Sequence, residues 1–226
     1  MLALIFDFDG LILDTETPEL LVWNEVFASY GLSMPEGYYT SVIGRGAEQE
    51  VERPPQLLAR LTGNAYVEAE ARETRRRRTL ELIELESPRP GIEALLKEAR
   101  SSGIKIGLAS SSKHAWVDLH LGRIGLDSYF ETICCADDVE RAKPFPDLYL
   151  LACANLGVAP EDALALEDSP NGTSAAVAAG VCVVAVPNDA TKDLPLDHAN
   201  RILPTLEGVS VADLKEIWAA SRARVG

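Results

Sequence analysis

The 226-residue chain reads as an α/β protein in which a Rossmann-like parallel sheet core carries an inserted helical cap. Three observations predict this. Beyond residue 88, short apolar runs ending in polar clusters alternate with stretches of helical periodicity, the pattern of repeated βα units. The first apolar run, residues 2–6, is instead followed by a long stretch of helical texture without a convincing strand. Finally, 47% hydrophobic and 25% charged residues, with a mean hydropathy of +0.02, describe a chain able to bury a core.

Residues 2–6, LALIF, are continuously apolar, as in a strand buried on both faces, and end in the acidic segment DFDG. From 16 to 30, Leu20, Val22, Trp23, Val26 and Phe27 recur at helical spacing, and Gly31 supplies a stop. Further helices are expected over 47–61 and 66–85, with a break or fresh start at Pro54-Pro55. After SPRPG the alternation begins: helix 92–101, strand 104–109, helix 116–123 and strand 131–135. Then come helix 147–156, strand 163–166, helix 174–179, strand 181–186, a short strand near Ile202 and helix 211–220. This divides the chain into a core of residues 1–14 and 89–226 and a cap of residues 15–88 inserted in the first crossover.

The net charge of -14 and pI near 4.6 oppose a broad interface with nucleic acid. The same charge repels a phosphate ester at a distance, so a phosphate site must bring its own metal, lysine or backbone N–H groups. Cys134, Cys135, Cys153 and Cys182 form no C-x-x-C pair, and with three histidines they argue against a zinc site or a disulfide framework. The apolar start is cut short by Asp7 and Asp9, and no uncharged run reaches membrane-spanning length, so a cytoplasmic protein with no membrane partner is expected. A monomer or weak homodimer is the expected state.

In open parallel sheets, ligands lie at the carboxyl ends of the strands, and four of these ends carry polar clusters. Asp7-Phe8-Asp9 offers two carboxylates that can point the same way while Phe8 enters the core, an arrangement suited to a metal and a nucleophile together. Ser110, Ser111 and Ser112 can donate to a phosphoryl oxygen, although a serine run before a helix is also an ordinary N-cap. Lys143 sits in KPFP, whose prolines stiffen the loop, and a solvated lysine is the default alternative. Glu167 and Asp168 form a second acidic pair before SPNG; taken singly each pair reads as solvent-facing or capping, but two pairs at the ends of strands that can lie side by side would repel each other without a hard cation.

Taken in order, DFDGLILDTE, LASSS, KPFPD and LEDSPNG resemble the four motifs of the haloacid dehalogenase-like hydrolase superfamily across nearly the whole chain. The resemblance implies a Rossmann-like fold with a helical cap and a phosphatase acting on a small phosphorylated metabolite, such as a sugar phosphate. It implies Asp7 as nucleophile through an aspartyl phosphate, Asp9 as general acid and base, and Ser110, Ser111 and Lys143 as phosphoryl-binding. The cofactor it implies is Mg2+, held by Asp7, the Asp9 carbonyl, Glu167 and Asp168. A carboxylate at position 9 argues against the dehalogenase branch.

Within the superfamily, the opening motif and cap placement are most similar to the branch of sugar-phosphate phosphatases, phosphoglycolate phosphatases and β-phosphoglucomutases. The cap contains no histidine, and Glu19 lies near the place where the mutases carry one, which favours hydrolysis over a phosphosugar mutase. A catalytically idle binding protein is the remaining alternative, opposed by the intact acidic, serine and lysine positions. Arg45, between Gly44 and Gly46, is a candidate to meet a substrate anion, with a surface turn as the plainer reading. The run 75–78 of four arginines reads as a solvated helix circumference, and Trp23 and Trp116 as core residues.

Overall fold

The computed structural model describes residues 1–42 and 52–223. Strand β1 (Ala3–Phe6) is followed by helices α1 (Glu16–Ser29), α2 (Tyr38–Val42), α3 (Pro54–Thr62) and α4 (Val67–Ile83). Then come α5 (Ile92–Ser101), β2 (Lys105–Ala109), α6 (His114–Ile124), β3 (Thr132–Cys134) and α7 (Asp147–Leu156). β4 (Ala163–Glu167), α8 (Pro170–Ala178), β5 (Cys182–Ala185), β6 (Arg201–Ile202) and α9 (Val211–Arg222) complete the order.

The strands form one sheet in the order β3-β2-β1-β4-β5-β6, with every pairing parallel. β1 is central, with Phe6 level with Leu108 on one side and Leu166 on the other. The continuous apolar runs follow from this placement: both faces of β1 are covered, so no polar alternation is tolerated. Leu4 and Phe6 enter a cluster with Ile92, Leu95, Val117, Leu121 and Leu214, while Ala3 and Ile5 enter another with Leu148, Tyr149, Ala152 and Ala175. The sheet is therefore the middle of three layers, with α5, α6 and α9 contributing to one face and α7 and α8 to the other.

Helices α1, α3 and α4 bury a third cluster of their own, built on Val22, Trp23, Val26, Phe27, Leu57, Leu58, Val67 and Ala71. Each Val, Leu or Phe side chain among them contributes roughly 1.5–3 kcal/mol on removal from water. The chain leaving the insert is tied to the chain entering it: Arg89 N–H donates to the Ile12 carbonyl at 2.9 Å. The Arg89 guanidinium meets the carbonyls of Gly10, Val186 and Pro187, and Arg123 of α6 meets those of Ile83, Glu84 and Glu86.

Three elements differ from their expected bounds. The helix expected over 47–61 begins at Pro54 within the described residues, because two prolines at its start need no N–H partner there; its earlier part, and Arg45, lie outside them. α8 starts at Pro170, not near 174, because Ser169 accepts from Gly172 N–H at 3.2 Å and caps what read as a turn. α6 begins at His114 and takes in Trp116 within its first turn.

Candidate active site

The acidic pairs emerge side by side because β1 and β4 are neighbours in register. Asp7 stays on the ladder, its N–H donating to the Leu166 carbonyl at 3.0 Å, while Phe8 is fully buried. Asp7, Glu167 and Asp168 are all buried, and each offers an oxygen within 4.8 Å of the others. The backbone must approach closely to allow this. Gly10 has φ +78°, and a Cβ there would stand 2.1 Å from an Asp168 oxygen; a Cβ on Gly172 would stand 1.9 Å from Glu167.

Lys143 is brought to the same point, with Nζ 2.5 Å from Asp7 Oδ1 and 2.6 Å from Glu167 Oε1 and only 5% of its side chain exposed. The Tyr149 hydroxyl also donates to Glu167 Oε1. Burial, then Glu167, pushes the Asp7 carboxyl well above the usual carboxylate range against the pull of Lys143. Asp168 is raised likewise, by burial and then by Glu16, Asp7 and Glu167. Burial would lower the Lys143 ammonium, but Asp7 and Glu167 overcome it and hold it charged.

One ammonium faces three buried carboxylates. Two like charges about 4 Å apart repel by ~4 kcal/mol at an effective dielectric near 20, so the ionised set lacks positive charge. An all-oxygen, net-negative donor set of this kind fits a hard divalent cation. Among the described residues, His114, Cys135 and Asp138 also approach one another, but Asp138 is engaged there, accepting from Cys135 N–H at 2.8 Å and pairing with His114 at 2.7 Å.

Asp9 occupies the mouth of this centre. Its Oδ1 accepts from Thr15 Oγ1 at 3.0 Å and from Trp116 Nε1 at 2.8 Å. Its Oδ2 accepts from Ser112 Oγ at 2.6 Å and lies 3.5 Å from Ser110 Oγ. Asn188, just after β5, donates to Asp168 at 2.8 Å and to the Gly10 carbonyl at 3.2 Å, and reaches Glu16 at 3.4 Å. Burial pushes the Glu16 carboxyl up to about 8, with Asn188 opposing and Asp9 and Asp14 adding.

A cavity of about 1070 Å³ opens from Asp9 between the sheet rim and the helical insert. Glu19, Trp23 and Arg75 line its far side, and Trp116 and Ser112 its near side. Arg75 lies 3.6 Å from Glu19 with its guanidinium carbon 6.0 Å from the centre of the Trp23 ring, so it lines the cavity, where the arginine run suggested a wholly solvated face. Arg77 and Arg78 do face outward, pairing with Glu81 and Glu25.

The structure brings together Asp7, Asp9, Ser110, Lys143, Glu167 and Asp168. Ser111 is exposed, and the hydroxyl beside Ser110 that reaches Asp9 belongs to Ser112. Trp116, read as core, packs against the core cluster and also lines the cavity. Asn188 could have been found by applying the strand-end rule to the run 181–186; Tyr149 could not, since its helix face is apolar throughout.

The profile of the haloacid dehalogenase-like hydrolases matches residues 4–186. The chain is 47% identical to the Bacillus subtilis protein YhcW over 210 residues, covering 93% of this chain and 94% of that one. It is 32% identical to the phosphorylated carbohydrates phosphatase of Thermotoga maritima over 80% of this chain and 82% of that one. The crystal structure of CbbY from Rhodobacter sphaeroides in complex with phosphate superposes with a TM-score of 0.71 at 30% identity, covering 95% and 99% of the two chains. With sheet order, motif positions and relatives in agreement, the chain belongs to the haloacid dehalogenase-like hydrolase family.

Proposed function

We propose that the chain is a magnesium-dependent phosphatase of small phosphorylated metabolites, sugar phosphates or close analogues, working through an aspartyl phosphate on Asp7 beneath a cap of residues 15–88. The observation that carries this reading is the convergence of Glu167, Asp168 and Lys143 on Asp7, two residues from Asp9, which itself lines a large cavity. The Thermotoga relative, whose name specifies phosphorylated carbohydrates, supports the substrate class.

Asp7, Glu167 and Asp168 would hold the ion, together with the Asp9 carbonyl. When bound, magnesium supplies the neutralisation that lets an anionic nucleophile approach an anionic ester. Lys143 screens the same repulsion, keeps the Asp7 carboxylate aimed and, with Ser110, binds the phosphoryl oxygens. A carboxylate oxygen of Asp7 forms the new bond to phosphorus as the ester bond breaks, and Asp9 gives its proton to the departing alkoxide. Asp9 then takes a proton from the water that attacks the aspartyl phosphate, which restores both aspartates and releases phosphate. Arg75 on the cavity wall, and Arg45 by the sequence reading, would meet anionic or hydroxyl groups on the rest of the substrate.

The test is phosphate release from p-nitrophenyl phosphate with magnesium and with chelator. Activity should require the metal, Asp7→Asn should abolish it in a folded protein, and Asp9→Asn should slow it severely. Turnover retained by Asp7→Asn would refute the assignment.

A phosphosugar mutase is the second reading, because the β-phosphoglucomutase of Bacillus subtilis is 31% identical over 99% of this chain. Against it, Glu19 stands on the cavity wall where the resemblance leads one to expect a histidine, and it is already held by Trp23 at 3.2 Å. Isomerisation of β-glucose 1-phosphate faster than phosphate release would decide for the mutase.

A further inference from the structure

Asp9 is held by donors from three separate segments, and they are not chemically equivalent. Thr15, Ser112 and Ser110 present hydroxyls, which rotate and can accept as well as donate. Trp116 presents an indole N–H, 2.8 Å from Oδ1, which can only donate. When a proton resides on the Asp9 carboxyl, the hydroxyls can reverse to accommodate it on either oxygen; the indole cannot. Oδ1 is committed to accepting for as long as the Trp116 contact persists, and Oδ2, on the Ser110 and Ser112 side, is the oxygen whose partners can all reverse.

The indole is also held in place. Trp116 packs against the main core cluster, and its ring meets His120 edge-on at a centroid distance of 4.2 Å. His120 is 2% exposed, and neither ring nitrogen has a hydrogen-bond partner among the described residues, so it serves here as a flat wall behind the indole. The other edge of Trp116 lines the cavity. A rigid donor between core and substrate space is placed to set the carboxylate orientation from one turnover to the next.

We propose that Trp116 is a positioning residue for the hydrolytic reaction: its indole N–H fixes the Asp9 carboxylate so that Oδ2 is the oxygen that exchanges a proton with the leaving group. The proposal rests on the reading of Asp9 as general acid and base.

The test compares kcat/KM for p-nitrophenyl phosphate and phenyl phosphate. The two are nearly the same size, but only the phenyl ester has a leaving group that depends strongly on protonation. Trp116→Phe keeps an aromatic ring against His120 and removes the N–H. It should lose roughly ten- to hundred-fold on phenyl phosphate, the worth of one hydrogen bond to a charged group, and several-fold less on the nitrophenyl ester. Equal losses on the two esters would mark Trp116 as cavity wall only and overturn the proposal. If Trp116→Phe does not fold, benzothienylalanine at position 116, which has the indole shape without its N–H, decides by the same comparison. Asp9→Asn is the control. If it shows the leaving-group dependence and the Trp116 variants do not, the Trp116 role alone fails. If Asp9→Asn itself loses equally on both esters, the acid role of Asp9 fails and the proposal with it.

Discussion

Replacing Lys143 with methionine tests whether the centre is organised by charge or by packing. Methionine keeps most of the side-chain volume and removes the ammonium that lies 2.5 Å from Asp7 and 2.6 Å from Glu167. Three carboxylates then share a buried space with no fixed cation. Breaking a buried ion pair by removing one partner costs about 3–5 kcal/mol. At about 2–4 °C per kcal/mol for a chain of this size, the apo protein should melt at least ~6 °C lower. The sign of the pH dependence follows from Asp7 and Asp168, whose carboxyls already lie above their unfolded values. A raised carboxyl contributes stability below its unfolded pKa and loses it as pH rises through the folded one, and removing Lys143 raises Asp7 and Asp168 further. The deficit of Lys143→Met should therefore be large at about pH 8 and smaller at about pH 5.5. Thermal unfolding of both proteins in chelator at the two pH values measures it. A melting temperature at the higher pH within ~2 °C of the parent, or a deficit that grows on acidification, would refute the charge argument.

Gly172→Ala places a methyl group 1.9 Å from a Glu167 oxygen, so that carboxylate must shift; magnesium affinity by calorimetry should fall at least ~tenfold, and an unchanged affinity would separate Glu167 from the ion. Glu16 carries a folded pKa of about 8, above the ~4.3 of an unfolded glutamate, so the parent loses stability as pH rises toward 8. Glu16→Gln cannot ionise, and its urea midpoint should decline less between about pH 6 and pH 9; a steeper decline would contradict the assignment. Arg75→Ala removes a cation from the cavity wall and should raise KM about tenfold for a substrate with a second anionic group while leaving p-nitrophenyl phosphate nearly unchanged; equal effects on both would place Arg75 outside recognition.

Much of this architecture was legible because its determinants are local or periodic. A strand covered on both faces must be apolar at every position, so LALIF, ALAL and VCVVAV announced themselves, and the strand-end rule led from LALIF and ALAL to Asp7, Asp9, Glu167 and Asp168 and from the run 104–109 to Ser110. What escaped depends on partners distant in sequence. The spacing of Trp116 on its helix suits a core residue, and only the fold discloses that its N–H meets Asp9, 107 residues earlier. Arg75 and Arg77 have the same local composition, yet one turns toward Glu19 and the other toward Glu81, a choice made by how α4 packs on α1. The early start of α8 was hidden by SPNG, which serves equally as turn and as capped helix start until the strand before it is fixed.

Every reactive group described here stands on one rim of the sheet. The opposite rim is closed by modest, well-satisfied contacts: Leu2 N–H on the Asp162 carbonyl, and Arg222 and Trp218 of α9 on Glu161. A strand of four or five residues separates the two edges by roughly 15 Å. A tether, fluorophore or immobilising resin attached near Leu2 would thus hold the molecule by its back and leave the cavity mouth facing the bulk, which makes that edge the natural handle for single-molecule or bead-based work.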